Sequence, residues 1–581
     1  RPGHDPGPAG CLCGITRNRR GLVCGSTSRP CRTTRGEGGP RSADHPRWTS
    51  AWLGGGIDGT GGLRGPKKWH HRGGIRAESK RIRVSTDLLA ARRMDPRVGL
   101  FGLGKHSRLD PTRRSGGTHG RATRCRRTAC VVLFPRRHCG TCTRNPTLET
   151  MEQAVLLTSV HVVDPQGPWH NQVVDVLLQG GQVADIGPSL NAPDALVLSA
   201  KGSMVSPGWI DGQAHFREPG LETKEGMNSG LDAASRGGFT HVAVLPSTSP
   251  CVDHASAVRN TLALGAQAQD AGIPAEALAL GCLSEGGQGA QLAEMHDMSE
   301  AGAVAFTDDT PLDRVSLLQR ALTYSKVHGK VVVDVPLDRD MNAGGLMHEG
   351  VYSTQMGLIG IPHEAETLRV SRDLDVLKYA GGRLHLATLT CAESVAMVRE
   401  AKRAGLQVTC STTAAHLMYC DENLAGFVGT LRVSSPFRAK SDRDALREGV
   451  LDGTIDMVVS DHRPEDLEHH DVEFMLSPDG MATLPSAFSL ALSGLKESAS
   501  NSKAAVEALV TAMTQGPSNV LSLAPAHLEA GQECDITWFH PDMAHRSHGG
   551  TKGVNLPPLK EGQTGQVLGV FHADRSWTAQ G

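Results

Sequence analysis

Aromatic residues and long apolar runs are both scarce in this chain. Aromatic side chains make up 4% of the 581 residues, and all four Tyr follow position 151. No run approaches the roughly 18 apolar residues that a membrane-spanning helix needs, and no apolar core of a secretory leader is present. These absences argue against a membrane or secreted protein, so we expect a cytoplasmic one.

Cysteine is present but unpatterned. Eight of the 14 Cys precede position 151, where Cys139 and Cys142 form a CxxC pair. Without a second pair this spacing is a weak metal signal. The other six are scattered singly, as in a reducing compartment: Cys251, Cys282, Cys391, Cys410, Cys420 and Cys534.

The net charge of -1 hides a division near residue 150. Residues 1–150 hold 31 of the 60 Lys and Arg but only 9 of the 61 Asp and Glu. Their net charge is therefore +22, against -23 for residues 151–581. One folded unit would not normally divide in this way, which predicts two unrelated parts.

Residues 1–150 are rich in Gly, Arg, Pro, Ser and Thr and keep no regular apolar period, which predicts disorder. A basic tail that binds nucleic acid is one interpretation, but its arginines lack interleaved aromatics for base stacking. A targeting leader is another, although 150 residues is long for one. Met151 opens a stretch of ordinary composition in a chain that begins at Arg1, which favours upstream translation outside the native protein.

From residue 151 onward the sequence alternates strand and helix signals. Short β segments at 155–163, 173–178 and 195–199 come first. Helical stretches that end at Gly then separate eight apolar runs of strand length. These runs lie at 208–216, 240–246, 277–283, 303–307, 330–335, 383–389, 406–413 and 456–460.

Eight strand–helix units over about 260 residues predict an α/β protein with a (β/α)8 TIM barrel. Helical patterns at 485–495 and 503–513 follow, and β character returns at 535–539 and 565–571. We expect a barrel over 207–527 and a small β-sandwich built from 151–206 and 528–581.

Active sites in this fold lie at the carboxyl ends of the barrel strands. The ends of strands 1, 4 and 8 are rich in polar residues and span 211–220, 306–309 and 460–465. Together with neighbouring motifs they resemble the dihydroorotase branch of the amidohydrolase superfamily, close to allantoinases and hydantoinases, over about 155–573. The motifs that carry the resemblance are Pro207–Asp211, Arg217–Gly220, Gly302–Asp309, His348–Gly350, Glu364–Glu366, Asp452–Asp456 and Asp461–His462.

The resemblance implies zinc-assisted hydrolysis of a cyclic amide. Its binuclear zinc site uses a His-x-His on strand 1, an acidic or carboxylated Lys bridge near strand 4, one His each on strands 5 and 6, and a strand 8 Asp that also moves the proton. Here Gln213, Val335 and Thr388 occupy three of the His positions. The retained metal ligands are His215, Asp461 and an acid at Asp308 or Asp309, which predicts no zinc or a weak single ion.

The substrate-binding positions implied by the resemblance have also changed. Arg217, which would pair a substrate carboxylate, is kept. Two family Asn positions are Ser247 and Ser434, and the His that closes the strand 8 motif is Glu465. Asp461 is the retained catalytic candidate, but a purely structural role would also preserve it through hydrogen bonds to loop backbone. Arg217 could likewise simply pair an acid.

Three other histidines could replace the lost ligands, namely His241, His385 and His462. We expect each to be a packed or surface residue. His241 sits at the start of strand 2, which is the wrong end of the barrel, and the other two point away.

The favoured function is that of a non-catalytic dihydroorotase-like protein that supports aspartate carbamoyltransferase in pyrimidine biosynthesis, within a homo- or hetero-oligomer. The alternative is an active cyclic amidohydrolase with an altered metal site. A nucleic-acid binder acting through residues 1–150 is the third and least favoured hypothesis.

Overall fold

The computed structural model describes residues 153–579 and the backbone of one preceding strand, Leu148–Thr150. The predictions for residues 1–150, including disorder and the Cys139–Cys142 pair, lie outside the described residues apart from that strand. Among the described residues, no helix combines the length and apolar character that crossing a bilayer requires.

Six described strands precede the barrel. The second, third and fifth match the three β segments predicted at 155–163, 173–178 and 195–199, and the other three were not predicted. The six strands are β1 (Leu148–Thr150), β2 (Val155–Val162), β3 (Val173–Gln179), β4 (Gln182–Gly187), β5 (Leu196–Ser199) and β6 (Met204–Pro207).

Each of the eight apolar runs forms a strand, which confirms the predicted barrel. In chain order these strands are β7 (Trp209–Ala214), β8 (Phe239–Val244), β9 (Glu276–Gly281), β10 (Ala305–Phe306), β11 (Val331–Asp334), β14 (Leu384–Leu386), β15 (Val408–Thr413) and β16 (Met457–Val459). Two further short strands, β12 (Met347–His348) and β13 (Gly360–Ile361), form a separate ladder.

The eight barrel strands are parallel and neighbour one another in chain order from β7 to β16. A parallel bridge between Ala214 and His462 brings the first and last strands together. There the His215 amide donates to the His462 carbonyl at 2.8 Å. The barrel interior is packed by apolar side chains such as Ile210, Leu278 and Met457, as expected for strands buried on both faces.

Helices surround the barrel and confirm the predicted helical stretches. They are α1 (Met227–Gly237), α2 (Ala255–Asp270), α3 (Met295–Glu300), α4 (Val315–Ser325), α5 (Val351–Met356), α6 (Glu364–Ala380), α7 (Ala392–Arg403), α8 (Lys440–Leu451), α9 (Leu467–His470), α10 (Ala487–Lys496), α11 (Ser502–Met513) and α12 (Gln515–Leu521). Helix α1 ends at Gly238, whose φ of 98° lies in the left-handed region that glycine adopts easily.

The chain ends in β17 (Asp535–Ala544), β18 (Thr564–His572) and β19 (Arg575–Thr578). These strands join the first six in one nine-stranded sheet of order β1-β19-β18-β17-β6-β2-β3-β4, with β5 beside β2. The sheet packs on the barrel through Trp209 of β7. Its ring centroid is 5.2 Å from that of Phe539 on β17 and 4.5 Å from that of Phe488 on α10. Strands from both ends of the described chain therefore form one sheet, which packs against the first barrel strand, β7.

Candidate active site

An arginine and two aspartates form the centre of the polar cluster at the carboxyl ends of the barrel strands. The guanidinium of Arg463, which follows β16, contacts both oxygens of Asp309 at 3.0 and 2.5 Å. Its Nε donates to Asp461 Oδ1 at 2.9 Å. One side-chain cation thus connects the carboxylates that follow β10 and β16.

The protonation states of this cluster are fixed by mutual charge. Burial alone would raise the pKa of Asp309, but the guanidinium of Arg463 holds it below its ordinary value. Burial likewise opposes the charge of Arg463, yet Asp309 and Asp461 raise its pKa further. The pair is therefore fully ionised at neutral pH.

Gln213 and Ser247 complete the bonding of the two carboxylates. The Gln213 amide donates to Asp461 Oδ1 at 2.7 Å, and the Ser247 hydroxyl donates to Asp309 Oδ2 at 2.6 Å. Gln213 stands at the first His position of strand 1, so a neutral hydrogen-bond donor now faces the Asp461 carboxylate.

His215 uses both ring nitrogens inside the protein. Nδ1 accepts from the Arg217 amide at 3.0 Å, and Nε2 lies 2.9 Å from the Ser247 carbonyl oxygen, to which it donates. Burial lowers the pKa of His215 to about 3, so the ring is neutral. Because one nitrogen accepts and the other donates, neither offers a lone pair to a metal in this arrangement.

The two acids at the end of strand 4 lie in different surroundings. Asp308 is directed into the loop after β9, where it accepts from the Leu283 and Ser284 amides at 2.8 Å each and from the Ser284 hydroxyl at 2.6 Å. Burial raises its pKa. The structure therefore brings Asp309, rather than Asp308, to the cluster with His215 and Asp461.

Arg217 is paired with an acid of its own chain. Its Nη2 donates to Glu465 Oε1 at 2.9 Å, and Lys224 Nζ lies 2.5 Å from Glu465 Oε2. Glu465 occupies the position where the resemblance implies a His, and its side chain is buried. The carboxylate-binding candidate is thus already bound to an internal carboxylate.

The remaining ligand positions carry side chains that form no hydrogen bond to the cluster in the described part of the chain, although Val335 lines the same small cavity as Gln213 and Asp309. Val335 packs with the apolar group of Leu337, Ile361 and Ala365. The amide of Thr388 donates to Ser411 Oγ at 3.3 Å. Neither residue has a hydrogen bond to Asp309 or Asp461 within the described part of the chain.

The candidate replacement histidines are all engaged elsewhere. The prediction that His385 points away is wrong: it lines an interior barrel cavity of only about 20 Å³ together with Gln213 and Asp309. Its ring nitrogens contact the Thr409 and Ser411 hydroxyls. His462 points away from the cluster into a buried contact, with Nε2 3.4 Å from Glu225 Oε2. His241 lies at the opposite end of the barrel beside Glu276 and Asp535.

Backbone conformation at the cluster is unusual in a consistent way. Four non-glycine residues at the strand ends adopt positive φ: Arg217 at 62°, Asp309 at 55°, Thr388 at 57° and Asp461 at 47°. Such positions cost of order 1–3 kcal/mol each and cluster at functional sites in proteins. Buried Asp211 supports this framework by accepting from the Ser460 amide at 2.9 Å, and burial raises its pKa to about 7.

Sequence reasoning did not assign a role to Arg463. The sequence places it two residues after Asp461, at the end of the strand where metal ligands would gather. An arginine two residues after Asp461 was the sequence signal that the retained carboxylates have a cationic partner within the chain.

Comparisons with known proteins agree with the resemblance. Residues 202–394 match the family model described as Dihydro-orotase-like. The dihydroorotase of Pelotomaculum thermopropionicum is 40% identical over 387 residues, an alignment that covers 66% of this chain and 89% of that protein. The dihydroorotase of Syntrophus aciditrophicus is 34% identical over 409 residues, covering 69% of this chain and 94% of the relative.

Solved structures show the fold. The L-hydantoinase (dihydropyrimidinase) of Arthrobacter aurescens has a TM-score of 0.62 at 18% identity and covers 72% of this chain and 95% of its own. The dihydropyrimidinase of Brevibacillus agri has a TM-score of 0.59 at 20% identity, with 72% and 94% covered. The barrel with its additional sheet is therefore of the amidohydrolase type, and the extent of the sequence matches shows that the chain belongs to the dihydroorotase family.

Proposed function

We propose that this chain is a dihydroorotase-family protein that does not hydrolyse a cyclic amide and acts as a structural or regulatory partner in pyrimidine biosynthesis. The observation that carries the proposal is the position of Arg463. Its guanidinium binds Asp309 and Asp461, the two retained carboxylates on which a metal would depend.

The donors at this place do not fit a binuclear zinc centre. Zinc in a catalytic site takes three protein ligands and a water, and needs deprotonated, unshared donors. His215 has both nitrogens engaged, and Val335 has no donor atom. A zinc ion would also have to displace the charged Arg463 from two carboxylates, against strong mutual repulsion.

The chemistry that remains without a metal is weak. Asp461 is the retained proton acceptor, but Gln213 and Arg463 already donate to its Oδ1. A carboxylate oxygen that already accepts two hydrogen bonds is poorly placed to take a proton from substrate or water. Water at this place would also lack the activation that a bound metal supplies.

The partner we propose is aspartate carbamoyltransferase. Support comes from the resemblance to non-catalytic dihydroorotase homologues and from membership of the dihydroorotase family. A chain whose barrel is intact but whose site is closed by internal ion pairs is suited to a scaffolding task. Mixing purified full-length protein with the carbamoyltransferase of the same organism, followed by size-exclusion chromatography with light scattering, tests this part.

The second candidate function is an active cyclic amidohydrolase with an altered metal site. The four positive φ values at the strand ends favour it, since strained backbone is commonly retained at working sites.

One assay separates the two functions. Full-length protein is purified without chelator, its zinc is measured by mass spectrometry, and ring opening and ring closure of dihydroorotate are followed with and without added zinc. Turnover that depends on zinc, and that is lost in the D461N variant, would overturn the non-catalytic proposal. We expect no turnover in either direction.

A further inference from the structure

Four titratable side chains meet at the end of the barrel opposite the cluster around Arg463. His241 and Glu276 lie at the starts of β8 and β9, and Asp535 and His572 lie on β17 and β18 of the sheet. They line a cavity of about 440 Å³. The proposed function uses none of them.

The Nε2 atoms of both histidines face the same carboxylate oxygen. His572 Nε2 lies 3.5 Å from Glu276 Oε2, and His241 Nε2 lies 4.0 Å from it. The two imidazoles meet edge to face, with ring centroids 4.8 Å apart. One ligand atom from each of the three residues lies within 4.8 Å of the others.

Asp535 lies behind the two imidazoles. Its carboxylate oxygens are 3.9 Å from His241 Nδ1 and 3.5 Å from His572 Nδ1. Within the described residues, His572 Nδ1 and Asp535 Oδ1 are both buried without a well-aligned hydrogen-bond partner.

Gly208 allows this approach of Asp535. A Cβ atom at position 208 would lie 1.9 Å from Asp535 Oδ1 and 2.2 Å from Thr240 Oγ1. The absence of a side chain at Gly208 thus leaves room for the Asp535 carboxylate beside the two histidines.

We propose that His241, His572 and Glu276 bind one divalent cation of the zinc class. The Thr240 hydroxyl contacts Nδ1 of His241 at 3.0 Å, and Asp535 faces Nδ1 of His572. Two His and one Glu form a known ligand set for zinc with a fourth position open to water. Tetrahedral bonds of about 2.0–2.2 Å separate neighbouring ligand atoms by roughly 3.4 Å, so side-chain shifts of up to about 1 Å complete the site. A carboxylate behind a ligating His is the usual supporting contact.

The ion would join the barrel to the sheet. Two of its ligands come from barrel strands or their starts, and the third comes from β18 of the sheet. The fourth position faces the cavity, which is lined on its other side by residues such as Thr514, Gln515 and His527. The amino-terminal face of a barrel of this type serves stability rather than chemistry, so we expect the ion to raise stability.

Protonation of His572 competes with metal binding at these residues. Burial alone would lower the pKa of His572, but the carboxylates of Asp535 and Glu276 raise it to about 9. In the absence of metal the group would then be an ion-pair network with His572 charged. Metal binding displaces that proton, so affinity must rise with pH.

A second group, His363, Glu393 and Asp442, also has ligand spacing. Its carboxylate is already committed, because Asp442 Oδ1 accepts from the Ala392 amide at 3.0 Å and Oδ2 contacts His363 Nε2 at 3.2 Å. Glu393 is exposed. We therefore place the metal at His241, His572 and Glu276.

The test uses full-length protein stripped with chelator and titrated with Zn²⁺ and Co²⁺ near neutral pH. We expect one equivalent of zinc, visible absorption of four-coordinate Co²⁺, and an unfolding temperature raised by about 3 °C at a zinc concentration of about 100 Kd. The H241N/H572N variant should lose all three signals. The matched control is H296N/H328N, which removes a stacked pair of histidines with ring centroids 4.6 Å apart and should keep all three.

Wild-type protein that binds no zinc and gives no Co²⁺ spectrum would overturn the proposal without any variant. Equal zinc binding by wild type and H241N/H572N would also overturn it, as would loss of the zinc in H296N/H328N or H363N. Circular dichroism of the stripped variants separates loss of the ligands from loss of the fold. None of these outcomes bears on turnover at Asp461, so the two proposals fail independently.

Discussion

Arg463 and Asp309 form a two-point ion pair across the carboxyl end of the barrel, with Nη1 3.0 Å from Oδ2 and Nη2 2.5 Å from Oδ1. Both side chains are largely buried, at 17% and 4% exposure. The pair supplies from the chain itself the positive charge that the carboxylates of this region need. Its geometry matches the planar fork that arginine offers to carboxylates, which lysine cannot reproduce.

Breaking this pair on one side should destabilise the protein strongly. We expect R463M to lower the free energy of unfolding by roughly 3–5 kcal/mol, because Asp309 then remains buried without its counter-charge. Urea unfolding followed by tryptophan fluorescence measures the change. The double variant D309N/R463M should recover a large part of the loss, and an undiminished stability of R463M would contradict the pairing.

Arg463 should also control whether a metal can enter this region. Restoring three histidines in Q213H/V335H/T388H should not create a zinc site while Arg463 stays bound to Asp309 and Asp461. Adding R463A removes the competing cation, and we expect this fourfold variant to bind zinc. The H241N/H572N background keeps the proposed second site silent, and bound zinc is counted by mass spectrometry. Zinc binding by the threefold variant would show that Arg463 is no barrier.

The fold was predictable because its signals are local and repeated. Each of the eight apolar runs forms a barrel strand, and the Gly stops mark the helix ends, as at Gly238. The amidohydrolase family followed from motifs in a fixed order. These features depend on the period of apolar residues and on turn chemistry, which a single sequence displays directly.

The partners of the site residues were not predictable in the same way. Gln213 and Asp461 are 248 positions apart, as are Arg217 and Glu465. No local sequence pattern predicts which acidic residue an arginine will pair with when several lie at the same end of the barrel. The choice between Asp308 and Asp309 was open for a related reason, since adjacent residues at a strand end diverge according to one backbone torsion, here the φ of 55° at Asp309.

Glu465 should block Arg217 from binding a carboxylate ligand. In E465Q the Arg217 guanidinium and the Lys224 ammonium lose their internal partner, so each becomes available to an external anion. We expect the affinity for L-dihydroorotate to rise by about tenfold or more, which corresponds to one charge-assisted hydrogen bond gained. Isothermal titration calorimetry measures it, and R217M/E465Q is the control that should return to the wild-type value. A wild type that already binds as tightly as E465Q would contradict this role of Glu465.

His416 should make the protein sensitive to acid. Its Nδ1 contacts the Thr413 hydroxyl at 2.8 Å, and its Nε2 donates to the Ser435 carbonyl at 2.9 Å, so the buried ring is held neutral. Burial lowers the pKa of His416 to about 4, against about 6.5 in the unfolded chain. The unfolded state therefore binds the proton first as pH falls below about 6.5, and stability is lost progressively down to about pH 4.

Near pH 5 this single group should lower the free energy of unfolding by about 2 kcal/mol relative to neutral pH. In H416Q that part of the pH dependence should disappear, even if the variant is less stable overall. Urea unfolding at about pH 5 and about pH 7 gives the change in unfolding free energy between the two pH values, which is compared between wild type and H416Q. Substitution of the half-exposed His254 in H254N is the matched control and should leave the pH dependence unchanged. An H416Q protein with the same loss of stability between the two pH values as wild type would show that other groups dominate the acid response.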